Sequence, residues 1–173
     1  MTIVVTPVDG RVSPDALRNA TLVVAEKRQE IVEEDAPLPY TTATLLEDAV
    51  QLPGWSAGKV MQVAQLLFEN GLITYPRTDS SHLAPEAADE GKKMASLLHG
   101  SSALVSRKGA QYPQAGAHEA IRPTSTARLP DELPKEFNAE ARELYKLIWG
   151  RYVASFLKPA RYRVTTVLFE VEA

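Results

Sequence analysis

With 173 residues, 45% of them apolar and 24% charged, the chain has room for one ordinary globular domain, or for one domain with a smaller one inserted in it. A formal net charge of −3 excludes a global basic field, so any nucleic-acid contact has to come from a local cluster. The absence of cysteine excludes disulfides, thiolate metal sites and cysteine nucleophiles, and no apolar run approaches the ~20 residues of a bilayer span.

Thr2 to Val8 reads as a short strand, and Ser13-Pro14 opens a short helical stretch from Asp15 to Asn19, with serine as cap and proline at the first helical position. Thr21 to Val32 is a β-type run that ends in Glu33-Glu34-Asp35, a solvated charge cluster. Ala36 to Thr42 (APLPYTT) carries two prolines in three residues and reads as an extended linker at a domain boundary. Thr44-Leu45-Leu46-Glu47 fits a capping box for a helix running to about Gln51, before Pro53-Gly54. Ser56 fits the cap of a helix over Ala57–Glu69, with Val60, Val63, Ala64 and Leu67 as its buried stripe and Gly71 just past its end. Pro85–His99 is the next helix and Gly100 its stop; Ser101 to Gly116 is loop-like. Asn138–Leu157 is the longest helix, ended by Pro159, and Arg161–Glu172 alternates as a strand. The fold class expected is α+β: a mainly helical domain over 39–158, inserted between the β-rich segments 1–38 and 159–173. The first residues show no charged-then-apolar leader pattern, so a cytoplasmic protein is expected.

Two short segments carry chemistry. In LITYPRTDS, Tyr75 follows a β-type run and is followed at once by Pro76, Arg77, Thr78 and Asp79. A phenol, with an ordinary pKa of ~10, is a poor nucleophile unless nearby groups stabilise its charge. Phosphoryl transfer suits it, because an arginine fork holds the negative charge of the transition state. Pro76 biases Thr74-Tyr75 away from helix, and an extended chain lets Arg77 reach the phosphate that Tyr75 attacks. In AHEAIRPT, His118, Glu119 and Arg122 precede Pro123; one helical turn here would put His118 and Arg122 on one face, suited to gripping a phosphate. Lys59 falls in the first turn of the Ser56 helix, where a cation beside open N–H groups makes an anion site or simply faces solvent. His82 in a turn and His99 at a helix end carry no chemistry in this reading.

The two segments in this order resemble the type IA DNA topoisomerases, whose active-site segment reads I-T-Y-x-R-[TS]-D. PYTTATL (Pro39 to Leu45) and WSAGKVMQVAQLLFENGLITY are similar to the run leading into it, so the likeness covers roughly Ala20 to Lys158. The resemblance implies that Tyr75 attacks a single-stranded DNA phosphodiester, leaving a transient 5′-phosphotyrosine and a free 3′-hydroxyl, with strand passage and religation needing no ATP. Arg77 and His118 would be its catalytic partners on the phosphate. Lys59, Thr78, Asp79, Glu119 and Arg122 would contact DNA or shape that pocket. The family's Ser-Ala-Lys-Arg is Ser56-Ala57-Gly58-Lys59 here, one basic side chain fewer, and Pro76 stands where one branch has methionine. The intact family enzymes bind Mg²⁺ through a glutamate and an Asp-x-Asp pair in another domain, and no Asp-x-Asp occurs here, so no metal ligand is expected in this chain. It reads as a central fragment, inactive without the metal-binding and ring-closing domains, whose partner is single-stranded DNA. A tyrosine recombinase fits less well, because there His-x-x-Arg precedes the tyrosine. A non-catalytic single-strand-binding module remains as the alternative, of modest affinity given 7% aromatic residues.

Overall fold

The computed structural model describes residues 21–105 and 118–172, so the expectations for Thr2–Val8 and Ser13–Asn19, and most of the loop leading to Gly116, lie outside it. Its elements run β1 (Thr21–Glu34), α1 (Thr42–Ala49), α2 (Ala57–Glu69), α3 (Pro85–His99), α4 (Ala139–Ala154) and β2 (Ala160–Glu172), a mixed α+β content. The chain divides into two compact units, 1–34 with 161–173, and 35–160.

In the first unit β1 pairs with β2. Arg161 meets Glu33 at 3.0 Å, and Gln29 donates to Thr165 at 3.1 Å. Those contacts run in opposite directions along the two strands, so the pair is antiparallel. Val24, Ile31, Tyr162 and Phe169 are exposed along this ribbon, which as two strands alone is at most marginally stable.

In the second unit α2 packs on α4. The apolar stripe Val60, Val63, Ala64 and Leu67 is buried against Leu144, Tyr145 and Ile148, together with Tyr40, Leu45 and Ile73. A smaller cluster joins α3 to the end of α4 through Ala88, Ala95, Tyr152 and Phe156. Gly91 is where those helices touch: a Cβ there would overlap the Phe156 ring and lie 2.9 Å from Cζ of Tyr152. The helices α2 and α3 have the bounds their caps and glycines predict, with Ser56 Oγ accepting from Lys59 N–H and Gly71 and Gly100 at φ +67° and +82°.

Three expectations need correction. Helix α1 starts at Thr42 and ends at Ala49, and its capping box pairs Thr41 with Thr44 rather than Thr44 with Glu47. Of Thr41, Thr42 and Thr44, Thr41 precedes the helix in extended conformation (φ −93°, ψ 172°), which a cap requires. Helix α4 ends at Ala154, three residues short of Leu157, with Asn138 as its cap. Beyond it, the carbonyl of Phe156 accepts from Val105 N–H at 3.0 Å and Lys158 N–H donates to Ala103 at 2.9 Å, bonds that compete with further helix. Finally, no helical turn forms at His118–Arg122. Ile121 bridges Tyr40 and Pro123 bridges Ile73, so this stretch is extended between two neighbours. Within APLPYTT, Tyr40 pairs with Ile121 and Thr41 is extended, but Thr42 already belongs to α1, and Pro39 and Tyr40 are fully buried in the helical unit.

Candidate active site

The turn at Gly71 closes α2 and sends the chain back as Leu72–Thr78. Leu72 and Ile73 are buried, which fixes Thr74 and Tyr75 at the edge of the core. Across from them Thr124 N–H donates to Leu72 O at 3.0 Å and Thr74 N–H to Arg122 O at 2.9 Å, a short antiparallel pairing around Ile73 and Pro123. Those bonds flank the pair, so Pro123 occupies a position whose missing N–H costs nothing. Thr74 adds a second tie: its hydroxyl donates to Ala120 O at 2.6 Å and accepts from Arg122 N–H at 3.0 Å. This pairing is what brings His118 to Tyr75, whose ring centroids lie 6.1 Å apart.

Tyr75 is 42% exposed, although Leu72 and Ile73 shortly before it are buried, and its other neighbour is Phe68, at 5.3 Å edge to face. His118 and Arg77 are exposed as well, and Arg77 forms no ion pair among the described residues. All three side chains are exposed, the rings of Tyr75 and His118 are neighbours, and no carboxylate among the described residues is bonded to any of the three.

The turn that carries Arg77 is tied by its own side chains. Thr78 and Ser80 are each 6% exposed; Thr78 Oγ1 accepts from Ser80 N–H at 3.1 Å, and Ser80 Oγ accepts from His82 N–H at 3.1 Å. Such hydroxyl-to-backbone bonds mimic turn bonds and hold the loop without helix or sheet. Ala120 N–H then donates to His82 O at 2.8 Å, which ties this turn to the His118 segment. Asp79, between the two, is exposed.

Glu119 and Arg122 satisfy each other. Arg122 Nε and Nη2 donate to the two carboxylate oxygens at 2.9 Å each, Nη1 donates to Pro123 O, and Glu119 also accepts from Ala84 N–H, at the start of α3. Burial disfavours the Glu119 charge, but the bonds from Arg122 and Ala84 more than offset it, and its pKa is lowered. Glu119 thus links the His118 segment to Arg122 and to the start of α3. Lys59 is not brought to the tyrosine. It sits at the opposite end of α2, roughly 13 Å along the axis from Phe68. Its ammonium pairs with Glu140 at 2.5 Å, donates to Gly54 O and lies over the Trp55 ring.

Two contributors escaped the sequence reading. Phe68 was legible only as a helix residue off the main stripe, and Thr74 only as part of a β-type run. Their tyrosine-positioning contacts depend on where the chain returns after Gly71. Among the described residues no group of three or more His, Asp or Glu gathers to hold a metal ion. The carboxylates nearest the core are already engaged, Glu90 by Thr126 and Asp48 by Tyr40 and Arg151. The residues here therefore do not fit a Mg²⁺ site.

A family model described as DNA topoisomerase matches residues 11–173. The chain is similar to DNA topoisomerase 1 of Thermotoga maritima, with 36% identity over 155 residues, covering 83% of this chain and 24% of that protein. In structure it is similar to full-length topoisomerase I from Thermotoga maritima at a TM-score of 0.69 and 33% identity, over 91% of this chain and 27% of that one. The chain thus spans about a quarter of the length of the relatives it matches. A family match over nearly the whole chain, with relatives 36% identical in sequence and 33% identical in a matching structure, places this protein in the DNA topoisomerase family, as a part of a type IA enzyme.

Proposed function

We propose that this chain carries the nucleophile of a type IA topoisomerase and that Tyr75 cleaves single-stranded DNA. The Tyr75 oxygen attacks the scissile phosphorus and its proton is lost. A bond forms between phosphorus and the phenolic oxygen, the bond to the 3′ oxygen breaks, and that oxygen takes up a proton. The broken strand is left with a 5′-phosphotyrosine and a 3′-hydroxyl. Attack by that hydroxyl reverses each step and reseals the strand, so the phosphotyrosine conserves the bond energy and no ATP is required. Arg77 holds the non-bridging oxygens and offsets their growing charge. His118, beside the Tyr75 ring, hydrogen-bonds the same phosphate.

Thr78, Asp79, Glu119 and Arg122 serve the DNA site by holding the Arg77 turn and the His118 strand in place. For Lys59, a part in DNA binding requires its pair with Glu140 to open. Mg²⁺ in the intact enzyme belongs to residues outside this chain, as do the domains that close the ring. The same reading makes the helical unit an insertion in a β-rich gate domain and puts the enzyme in the cytoplasm with its DNA.

The observation that carries this reading is the exposed Tyr75 ring, 6.1 Å from His118, with Arg77 two residues further on exposed and without an ion pair among the described residues. Its test is a 3′-labelled single-stranded oligonucleotide with Mg²⁺, with and without a metal-binding domain of a relative added in trans. A denaturation-resistant adduct is expected with that domain present and is lost in Tyr75→Phe. DNA binding with no adduct under either condition would turn the reading to a single-strand-binding module, which the absence of a metal-ligand cluster among the described residues also allows.

A further inference from the structure

One hydroxyl brackets Arg77 from both sides. Thr42, the first residue of α1, has its Oγ1 2.8 Å from Pro76 O and accepts the N–H of Thr78 at 2.8 Å. Its backbone N–H donates to Thr78 O at 2.8 Å. The residues before and after Arg77 are therefore tied to a single side chain, itself fixed by the Thr41 cap of α1. Pro76 and Thr78 are buried while Arg77 between them is exposed, so these bonds anchor the backbone on both sides of Arg77. Thr42 has no ring, charge or ionisable proton to offer DNA.

We propose that Thr42 is a positioning residue that aims the Arg77 guanidinium at the phosphate, an inference that rests on the reading of Arg77 as the phosphate-holding group. Replacing the hydroxyl by a methyl, as in Thr42→Val, keeps the shape and leaves Pro76 O and Thr78 N–H without their partner. The arginine then samples several directions, and its phosphate contact is lost although the guanidinium remains.

The test measures binding of a fluorescein-labelled single-stranded oligonucleotide in EDTA, by anisotropy, for wild type, R77A, T42V, T42S and the T42V/R77A pair. R77A is expected to bind about tenfold more weakly, a charged hydrogen bond's worth, with a shallower salt dependence. T42V is expected to lose about fivefold, T42S to bind within about twofold of wild type, and the double variant to bind no more weakly than R77A. Losses that multiply in the double variant, a T42V as tight as wild type, or a T42S as weak as T42V would overturn the role of Thr42 while leaving that of Arg77. R77A binding as tightly as wild type would remove both. Should T42V fail to fold, hydrogen exchange on the wild-type chain still decides: the Thr78 amide is expected to be protected, and rapid exchange there would end the proposal. Absence of a covalent adduct even with Mg²⁺ and the metal-binding domain of a relative supplied, with this binding pattern intact, would count against Tyr75 alone.

Discussion

Phe68 and Tyr75 meet edge to face with ring centroids 5.3 Å apart, so the last turn of α2 serves as the wall against which the tyrosine stands. A phenol that must meet one phosphorus atom gains from losing the freedom to turn away, and an exposed tyrosine has no other source of that order than its neighbours. With Mg²⁺ and the metal-binding domain of a relative supplied, Phe68→Ala is therefore expected to lower the rate of adduct formation about tenfold at saturating oligonucleotide while leaving affinity nearly unchanged. Because Phe68 is half-buried against the main core, the same change is expected to cost about 1–3 kcal/mol of stability, read from urea unfolding. An unchanged cleavage rate in a folded F68A chain would show that Tyr75 needs no such wall.

Much of this framework was legible because its signals are local. Ser56, Gly71, Pro85 and Gly100 mark helix ends through groups within a few residues, and the helices begin and end there. The residues of the site were legible as a motif, whereas the way they come together was not. The pairing of Thr74 with Arg122, and the tie of Thr42 to Thr78, join positions far apart in the chain and leave no periodic trace. The same long-range bonds explain the misjudged stretches. His118–Arg122 has the spacing of a helical turn but is held extended between two neighbours, and the run to Leu157 gives up its last helical residues to bonds with Ala103 and Val105.

Gly91 supplies a prediction about packing. Its missing side chain is what lets α3 rest on the rings of Tyr152 and Phe156, both buried. Gly91→Ala normally stabilises a helix by about 1 kcal/mol through backbone entropy. Here the methyl collides with the buried rings of Phe156 and Tyr152, and overpacking of that kind costs about 1–3 kcal/mol. The expected outcome is a net loss of stability in thermal unfolding, although helix propensity alone argues for a gain. A G91A chain that melts higher than wild type would mean that the Phe156 ring has room to move.

Glu90 and Glu119 set the acid limit. Glu90 ties α3 to the loop after Pro123 by accepting from Thr126 N–H at 2.7 Å and Thr126 Oγ1 at 2.6 Å, and Glu119 holds Arg122 and Ala84. In each case burial opposes the charge, but the hydrogen bonds outweigh it and the pKa falls below the ordinary 4.5. A lowered folded-state pKa stabilises the fold above the unfolded value, and that contribution is lost as pH drops through the folded one. Stability is thus expected to decline below about pH 4.5, and Glu90→Gln with Glu119→Gln should be less stable at pH 7 yet show a flatter decline in acid. A double variant whose acid limb matches wild type would place the titrating groups elsewhere.

The alkaline limb has the opposite sign and a different source. Burial pushes the Tyr145 phenol up from 10.0 to about 12, with its hydroxyl donating to Arg128 O at 2.9 Å. Tyr40 is raised further still, first by burial and then by its 2.6 Å bond to Asp48. A raised pKa means that the unfolded chain releases its proton first, so the contribution is complete below pH 10 and is lost as pH climbs through the folded-state values. Tyr145→Phe removes one such group along with a hydrogen bond worth about 1 kcal/mol. It is expected to be slightly less stable at pH 8, and its unfolding midpoint in urea should fall less steeply than that of wild type between pH 10 and 12. The two curves converge as the pH rises, because the ionised tyrosine of the wild-type unfolded state erodes the advantage that the hydroxyl provides at neutral pH. Parallel curves across that range would mean that Tyr145 titrates alike in the folded and unfolded chain, which its burial against Leu144 and Ile148 argues against.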